Sequence, residues 1–292
     1  HWTYEFALAG IASKRPCVVT AHDSPVRVLR YTPDPYRFGR LLMAICALRR
    51  ARFLTAVSPY IAEQVTRFTK VPAVVIPNPM PNVSAGAVNS QRRDCIRKMD
   101  VPPVIAMILN GWGRLKNPMM GLKAFGLFRS KIVTARLRLY GHDFGPGQTA
   151  ERWARAHGLD AGVEFIGSIP HRDLLAELPT VDALLHPALE ESCPLALVEA
   201  MTLGVPIVAG EASGGVPWVL NHGECGVLTN VRSANAMCEA LSQLFQDRDH
   251  YNAIREAATR RAHEVFDAST VAKQYEHQYL CAMGQAARMT GV

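Results

Sequence analysis

The fold class follows from residues 182–203, which read DALLHPALEESCPLALVEAMTL. The stretch opens with a short apolar strand at 182–186 and continues, after a loop with one proline and two acids, into an apolar helix at 194–203. Pro194 is predicted at the first helical position, where its fixed φ suits the helix and no helical hydrogen bond is lost. A strand followed at this distance by a helix is the repeating unit of parallel sheets covered by helices.

The same alternation extends on both sides of this stretch. Further strands are predicted at 104–109, 136–140, 163–166, 205–209 and 225–228. The helices between them are predicted to end near Arg129 and to span 148–157, 171–178 and 233–246. This alternation predicts a parallel sheet with helices on both faces.

The first eighty residues contain a shorter series of the same kind. Its predicted helices lie at 3–13, 36–51 and from Tyr60, and its strands at 16–20, 53–57 and 71–76. Ser58 is the predicted N-cap of the helix that Pro59 begins.

The predicted fold class is α/β, with two doubly wound, Rossmann-like domains, the first of them incomplete. Residues 81–102 lack periodicity and are interpreted as a linker between domains at 1–80 and 103–265. Residues 266–292 are predicted to form a C-terminal helix that packs back towards the first domain.

Composition narrows the class of protein. The chain has 292 residues, 49% of them hydrophobic and 20% charged, which is ordinary for a globular protein. Its longest apolar run, 41–48, is too short to cross a bilayer, and no signal peptide is expected at the start. The seven cysteines are scattered without zinc or redox spacing, which favours a reducing compartment and predicts a cytoplasmic location. Because the first residue is His and not Met, we expect the natural start to be missing.

The positive charge of the chain is concentrated in one segment, Arg27–Arg52. It holds seven arginines and one acid, Asp34, and so accounts for +6 of the net charge of +7. Nucleic acid, anionic lipid headgroups or a phosphorylated substrate could each be the partner. A surface helix whose arginine stems cover its own apolar side is the alternative that needs no partner. Few aromatic residues are interleaved and no nucleic-acid-binding module is present, so no nucleic-acid partner is expected.

Ligands of open parallel sheets bind beyond the carboxyl ends of the strands, so the residues that follow the strands are the candidates for a site. Neither a GxGxxG fingerprint nor a Walker A sequence is found there, which argues against nucleotide-dependent hydride transfer and that type of ATP hydrolysis. Instead, Gly113-Arg114-Leu115-Lys116-Asn117 provides two cations suited to phosphate oxygens. Gly214 and Gly215 allow close backbone approach to a ligand, or simply form a tight turn. His22 follows a strand of the first domain.

The strongest group lies around the helix at 194–203. The backbone amides of Leu195 and Ala196 are predicted to be free at the positive end of that helix, where a diphosphate would bind. Glu191 precedes the helix and Glu199 lies about one and a half turns into it. One carboxylate would therefore lie near the phosphates and the other within reach of sugar hydroxyls. A loop acid and a surface acid without a role are the alternative.

These motifs resemble those of the retaining glycosyltransferases of family 4, which have the two-domain GT-B fold. Glu191 and Glu199 match the E-x7-E signature of the family, and the run 199–206 continues its usual form. The segment 113–116 resembles its basic loop, 214–217 its glycine turn, and 75–79 the end of its N-terminal domain. The resemblance extends over nearly the whole chain.

The resemblance implies a role for each candidate residue. Arg114 and Lys116, with Gly113 and the amides of Leu195 and Ala196, would hold the donor diphosphate. Glu199 would bind the ribose, Gly214 and Gly215 would border the donor, and Glu191 would contact the donor sugar. His22 would lie beside the reacting centre, in an acceptor-side domain.

The sequence departs from the family in two places. Ser192-Cys193-Pro194 stands where the family often has Gly-Phe-Gly, and Pro194 contributes no amide to a donor. The strands and glycine-rich loop that open the family's first domain have no counterpart before His1. We therefore expect this chain to bind donor but to transfer sugar poorly.

The predicted function is transfer of a sugar from a nucleoside-diphosphate sugar to an acceptor hydroxyl, with retention of the anomeric configuration. The acceptor would be a glycan or a lipid-linked molecule, reached at the inner face of a membrane through the arginine-rich segment. No metal and no cofactor are expected, since the two cations of the basic loop would supply the charge and no Asp-x-Asp motif is found. A nucleotide-sugar epimerase and a non-catalytic nucleotide-sugar binding module are the alternatives.

Overall fold

The computed structural model describes residues 1–80 and 102–290, with side chains up to residue 284. All of the predicted linker except its last residue, 102, lies outside the described residues. The chain divides into two compact units, residues 1–79 with 265–292, and residues 80–264. We call them unit 1 and unit 2.

Unit 1 contains, in its described part, a parallel sheet of three strands in the order β1-β2-β3. Its elements are α1 (Glu5–Ala12), β1 (Val18–Ala21), α2 (Pro25–Tyr31), α3 (Pro35–Arg50), β2 (Phe53–Ala56), α4 (Pro59–Thr66), β3 (Val74–Val75) and α12 (Ala268–Thr290). The last helix belongs to this unit, where it contacts β1.

Unit 2 contains, in its described part, a parallel sheet of six strands in the order β6-β5-β4-β7-β8-β9. Its strands are β4 (Val104–Ile108), β5 (Arg136–Tyr140), β6 (Val163–Gly167), β7 (Ala183–His186), β8 (Ile207–Gly210) and β9 (Val227–Thr229). Its helices are α5 (Pro118–Lys131), α6 (Thr149–Ala156), α7 (His171–Glu177), α8 (Leu195–Thr202), α9 (Val216–Val219), α10 (Ala234–Gln246) and α11 (Arg248–Val265), which ends at the unit boundary. This strand order is that of a doubly wound Rossmann sheet.

Apolar strands and apolar helix faces form the core of unit 2. The side chains of β7 and β8 are buried along their whole length, as expected for central strands covered on both faces. Phe128 of α5 packs on Phe245 of α10 with ring centroids 5.7 Å apart, and both rings are buried. The α/β fold class predicted from the sequence is confirmed.

Local capping explains several boundaries. Ser58 accepts a hydrogen bond from the backbone N–H of Ile61 at 3.4 Å, so its prediction as N-cap is confirmed. Ser24 caps α2 in the same way, and Pro25 follows it at the first helical position, but this helix was not predicted. The third strand is only two residues long, shorter than predicted, because Pro72 lacks the N–H that a longer ladder would need.

The prediction for Pro194 was wrong by one position. Its φ of −72° and ψ of 116° are extended, so it is the N-cap of α8, and Leu195 is the first helical residue. Its carbonyl accepts the first helical hydrogen bonds, from Leu197 at 3.1 Å and Val198 at 3.4 Å.

Candidate functional site

Two neighbouring strands of unit 2 end in the loops that carry the predicted phosphate-binding residues. β4 and β7 are hydrogen-bonded neighbours although β5 and β6 separate them along the chain. At such a point the connections leave towards opposite faces, and a crevice opens beyond the strand ends. Lys116 from the loop after β4 meets Glu191 from the loop after β7, with Nζ 2.6 Å from Oε1. The two loops are therefore joined by an ion pair at the switch point of the sheet.

Asn117 fixes the position of the basic loop. Its φ of 55° lies in the left-handed region, which asparagine tolerates better than most residues. The buried side chain donates from Nδ2 to the carbonyls of Pro187 at 3.0 Å and Val231 at 2.8 Å. The amides of Lys116 and Asn117 both bond the carbonyl of Gly113, which closes the loop into a turn. Arg114, beside it, is exposed to solvent.

Glu191 is a half-buried carboxylate in the loop after β7, with 14% of its side chain exposed. Burial raises its pKa, but the His186 ring and the Lys116 ammonium outweigh this and hold the pKa at about 2. His186 is the last residue of β7, and its Nε2 lies 3.3 Å from Glu191 Oε1. This separation is within hydrogen-bond range, but the orientation of the two groups does not form a hydrogen bond, and attraction between them requires a protonated ring. His186 was not predicted as a site residue, because a histidine at the end of an apolar strand reads equally well as part of the core.

The first two backbone amides of α8 make no hydrogen bond within the helix. Because Leu197 and Val198 make the first helical bonds, the amides of Leu195 and Ala196 precede the ladder. The aligned peptide dipoles give this end a partial positive charge. It follows Glu191 by four residues along the chain.

Glu199 has a partner that the sequence did not reveal. It is 5% exposed, and its Oε1 lies 2.8 Å from His171 Nε2. His171 is the first residue of α7, and its side chain is 56% exposed. A histidine at the start of a helix is a weak signal by itself, and only the fold brings His171 to Glu199.

The glycine turn is fastened to the loop that carries Glu191. Gly214 has a φ of 63°, which requires glycine or a residue tolerant of the left-handed region. The amide of Gly215 donates to the carbonyl of Glu191 at 2.7 Å, and Ser213 Oγ donates to the carbonyl of Ala188 at 2.6 Å. The Gly215 amide is thus engaged in supporting the loop, and α9 begins directly after it.

His22 lies in unit 1, whereas all the other predicted site residues lie in unit 2. Its Nε2 is 2.7 Å from His1 Nδ1, and burial lowers its pKa. The neighbouring Asp23 accepts from the Tyr4 hydroxyl at 2.8 Å, and Arg40 stacks 3.6 Å above the Tyr4 ring. Among the described residues, no group of three or more His, Cys, Asp or Glu side chains is arranged to hold a metal ion.

Comparison with known proteins places this site in a family. A family model described as "Glycosyl transferases group 1" matches residues 100–261, more than half of the chain and nearly all of unit 2. The chain belongs to the group 1 glycosyl transferases. The match includes the basic loop, the E-x7-E segment and the glycine turn.

Curated relatives of this group 1 glycosyl transferase cover part of the chain. The D-inositol 3-phosphate glycosyltransferase of Corynebacterium aurimucosum is 33% identical over 199 residues, which cover 64% of this chain and 46% of the relative. The N-acetyl-alpha-D-glucosaminyl L-malate synthase of Bacillus anthracis is 34% identical over 122 residues, or 41% of this chain and 31% of that protein. The chain spans about half or less of the length of these relatives.

Solved structures extend the likeness of this group 1 glycosyl transferase to both units. Sucrose-phosphate synthase from Thermosynechococcus elongatus matches with a TM-score of 0.73 at 21% identity, over 91% of this chain and 67% of that one. HepE from Anabaena, in complex with UDP and glucose, matches with a TM-score of 0.72 at 20% identity, over 93% and 73%. The fold is therefore GT-B, and the resemblance inferred from the sequence is confirmed at the level of family and fold.

Proposed function

We propose that this chain carries the donor site of a glycosyltransferase that uses a nucleoside-diphosphate sugar and retains the anomeric configuration. The observation that carries the proposal is the Lys116–Glu191 pair at the switch point of the unit 2 sheet. Glu191 lies four residues before the start of α8, whose first two amides precede the helical hydrogen bonds. The complex of HepE with UDP and glucose, a protein of the same fold, adds support.

The diphosphate would bind between the basic loop and α8. Arg114 is exposed and Lys116 is partly exposed, so both ammonium and guanidinium groups can turn to phosphate oxygens. The amides of Leu195 and Ala196 would donate to the same phosphates. Charges and dipoles fixed in this way stabilise a departing diphosphate without reorganising during the reaction.

The remaining residues would surround the sugar and the nucleoside. Glu199 would accept from ribose hydroxyls, with His171 holding its carboxylate in place. Glu191 would contact the donor sugar, and Gly214 and Gly215 would shape the wall beside it. His22 would act at the acceptor side, with attack on the same face of the sugar that the diphosphate leaves. We propose that Arg114 and Lys116 take the part that a metal ion plays in other transferases.

The reaction is tested by following the anomeric proton of the first product by nuclear magnetic resonance, in deuterated solvent. Retention is the expected outcome, and an inverted product would contradict the same-face reaction. Incorporation of deuterium into the sugar at C2 would instead identify an epimerase. If a chain extended to the length of its relatives bound donor without any turnover, a non-catalytic binding module would be favoured.

Glu199→Gln should weaken the binding of nucleosides and nucleoside diphosphates by the same factor, about fivefold, since one hydrogen bond to a charged group becomes a neutral one. Titration calorimetry with each nucleoside and its diphosphate measures both factors. Glu239→Gln, an exposed acid on α10, is the matched control and should change neither. A loss confined to the diphosphate would place Glu199 at the phosphates.

We further propose that the outer face of α3 contacts an anionic membrane, where a lipid-linked acceptor would be reached from the inner side. Phe38 and Leu42, four positions apart on one side of this helix, are 54% and 51% exposed. Arg49 and Arg50 follow on the same helix and are exposed. Apolar side chains flanked by arginines suit the boundary between headgroups and acyl chains. No helix in the described part of the chain is long and apolar enough to span a bilayer.

Part of the arginine-rich segment serves unit 1 itself. Arg37 pairs with Asp34, Arg40 stacks on Tyr4, and Arg27 donates to the Tyr60 hydroxyl at 2.7 Å. The membrane proposal therefore concerns the exposed arginines of the segment and not these three.

Arg49→Ala should reduce sedimentation with anionic liposomes about fivefold, because each surface arginine contributes roughly 1 kcal/mol of attraction. Phe38→Ser should reduce it at both low and high salt, whereas the arginine effect should fade as salt screens it. Val133→Ser, an apolar residue in unit 2 that is 70% exposed, is the control. Equal binding of the unchanged chain to neutral and anionic liposomes would overturn the proposal.

A further inference from the structure

His186 occupies an unusual position for a titratable side chain. It ends β7, between β4 and β8 in the sheet, and is 2% exposed. Neither of its ring nitrogens has a hydrogen-bond partner among the described residues. Buried polar atoms are rarely left in this state, and an exception calls for an explanation.

The charged groups recorded around this ring are few. Glu191 Oε1 lies 3.3 Å from its Nε2, and Lys116 reaches the same oxygen from the loop after β4. The neighbouring strands end in Ile108 and Gly210, which do not ionise. One carboxylate oxygen is thus approached by an ammonium on one side and by an imidazole on the other.

We propose that His186 is a positioning residue that binds a proton and takes over the Glu191 carboxylate when a donor diphosphate draws Lys116 away. The proposal rests on the proposed function, because it requires a diphosphate at the basic loop. Its consequence is that donor binding is linked to the uptake of a proton at a site that the donor does not touch.

The charge balance explains why a proton is needed. Without ligand, the Lys116 ammonium neutralises the Glu191 carboxylate. With ligand, the ammonium faces the phosphates, and the half-buried carboxylate would be left without a counter-ion, which is costly. A proton taken from the solvent by the imidazole restores a neutral pair, and histidine is the side chain that can supply this charge between about pH 5 and 8.

The test is titration calorimetry of the full chain with whichever of uridine, guanosine and adenosine diphosphate binds most tightly. Heats measured at about pH 6.5 in two buffers of different ionisation enthalpy give the number of protons taken up. The wild-type chain should take up more protons than His186→Gln, by up to about half a proton. Between pH 6 and pH 8 the affinity of the wild-type chain for the diphosphate should fall several-fold more than the affinity of the variant. Uptake of one proton limits this fall to roughly tenfold per pH unit.

Controls separate the protein's proton from other sources. The terminal phosphate of the ligand titrates in the same pH range, but its contribution is the same for both proteins. The difference in proton uptake between wild type and His186→Gln therefore reports the protein alone. His250→Gln, an exposed histidine on α11, should behave as wild type. If His186→Gln fails to fold, the wild-type chain is titrated with a nucleotide sugar such as UDP-glucose. Its esterified phosphates do not titrate near neutral pH, so the proposal then requires that proton uptake on binding is still observed.

The outcomes distinguish this inference from the function on which it rests. Binding with equal proton uptake by wild type and His186→Gln would overturn the role of His186 and leave the donor site standing. No binding of any diphosphate or nucleotide sugar at either pH would overturn both.

Discussion

Lys116→Ala is expected to weaken the binding of nucleoside diphosphates by roughly ten- to hundredfold, the effect of losing a charge-assisted hydrogen bond. The structure adds a second effect. Removal of the ammonium leaves the half-buried Glu191 carboxylate without its ion-pair partner, so the variant should also be less stable. Titration calorimetry and urea unfolding of the same preparation measure the two effects.

Two variants separate these effects. Arg114→Ala should weaken diphosphate binding to a similar extent without loss of stability, because Arg114 is exposed and no ion pair is recorded for it in the described part of the chain. Lys123→Ala removes an exposed lysine from α5 and should change neither quantity. Unchanged affinity in Lys116→Ala would rule out the basic loop as the phosphate clamp.

Glu191→Gln should lower the free energy of unfolding of unit 2 by about 3 kcal/mol near neutral pH, since each unit of pKa shift corresponds to about 1.4 kcal/mol. The pKa of Glu191 falls from its ordinary value of 4.5 to about 2 in the folded chain. The ionised carboxylate therefore contributes stability above about pH 4.5, and this contribution is lost as the pH falls towards about 2.

Urea unfolding at pH 6 and pH 3 tests this linkage. Three of the four tryptophans, Trp112, Trp153 and Trp218, lie in unit 2, so tryptophan fluorescence mainly follows that unit. The difference between wild type and Glu191→Gln should shrink by about 2 kcal/mol at the lower pH. Glu211→Gln, an exposed acid after β8, is the control. A difference that is the same at both pH values would show that the charge of Glu191 does not stabilise the fold.

Much of the fold could be predicted because it depends on patterns local in sequence. The alternation of apolar strands and helices predicted the strands of unit 2 and its helices α5 to α8 and α10 to within a few residues, and Ser58-Pro59 marked the start of α4. Short elements were missed where local chemistry competes with the pattern. Ser24 and Pro25 begin a helix in a stretch without clear periodicity, and Pro72 shortens a strand that hydrophobicity alone would extend.

The site was predictable as a set of residue types but not as a set of contacts. Lys116 and Glu191 each followed a predicted strand, yet only the strand order brings them to 2.6 Å. His171 and His186 were not predicted as site residues, because a single histidine forms no sequence motif. Their partners Glu199 and Glu191 lie 28 and 5 residues further along the chain, in other elements. The roles of His22 and of the glycine turn in binding stay predictions.

The central claim is that the crevice between the loops after β4 and β7 binds a nucleoside diphosphate. The direct measurement is calorimetric titration of the 292-residue chain with uridine, guanosine and adenosine diphosphates, each in parallel with its nucleoside. We predict saturable binding of at least one diphosphate, tighter than its nucleoside and weakened by Lys116→Ala. Absence of binding by all three at millimolar concentration, with the chain shown to be folded, would contradict the account.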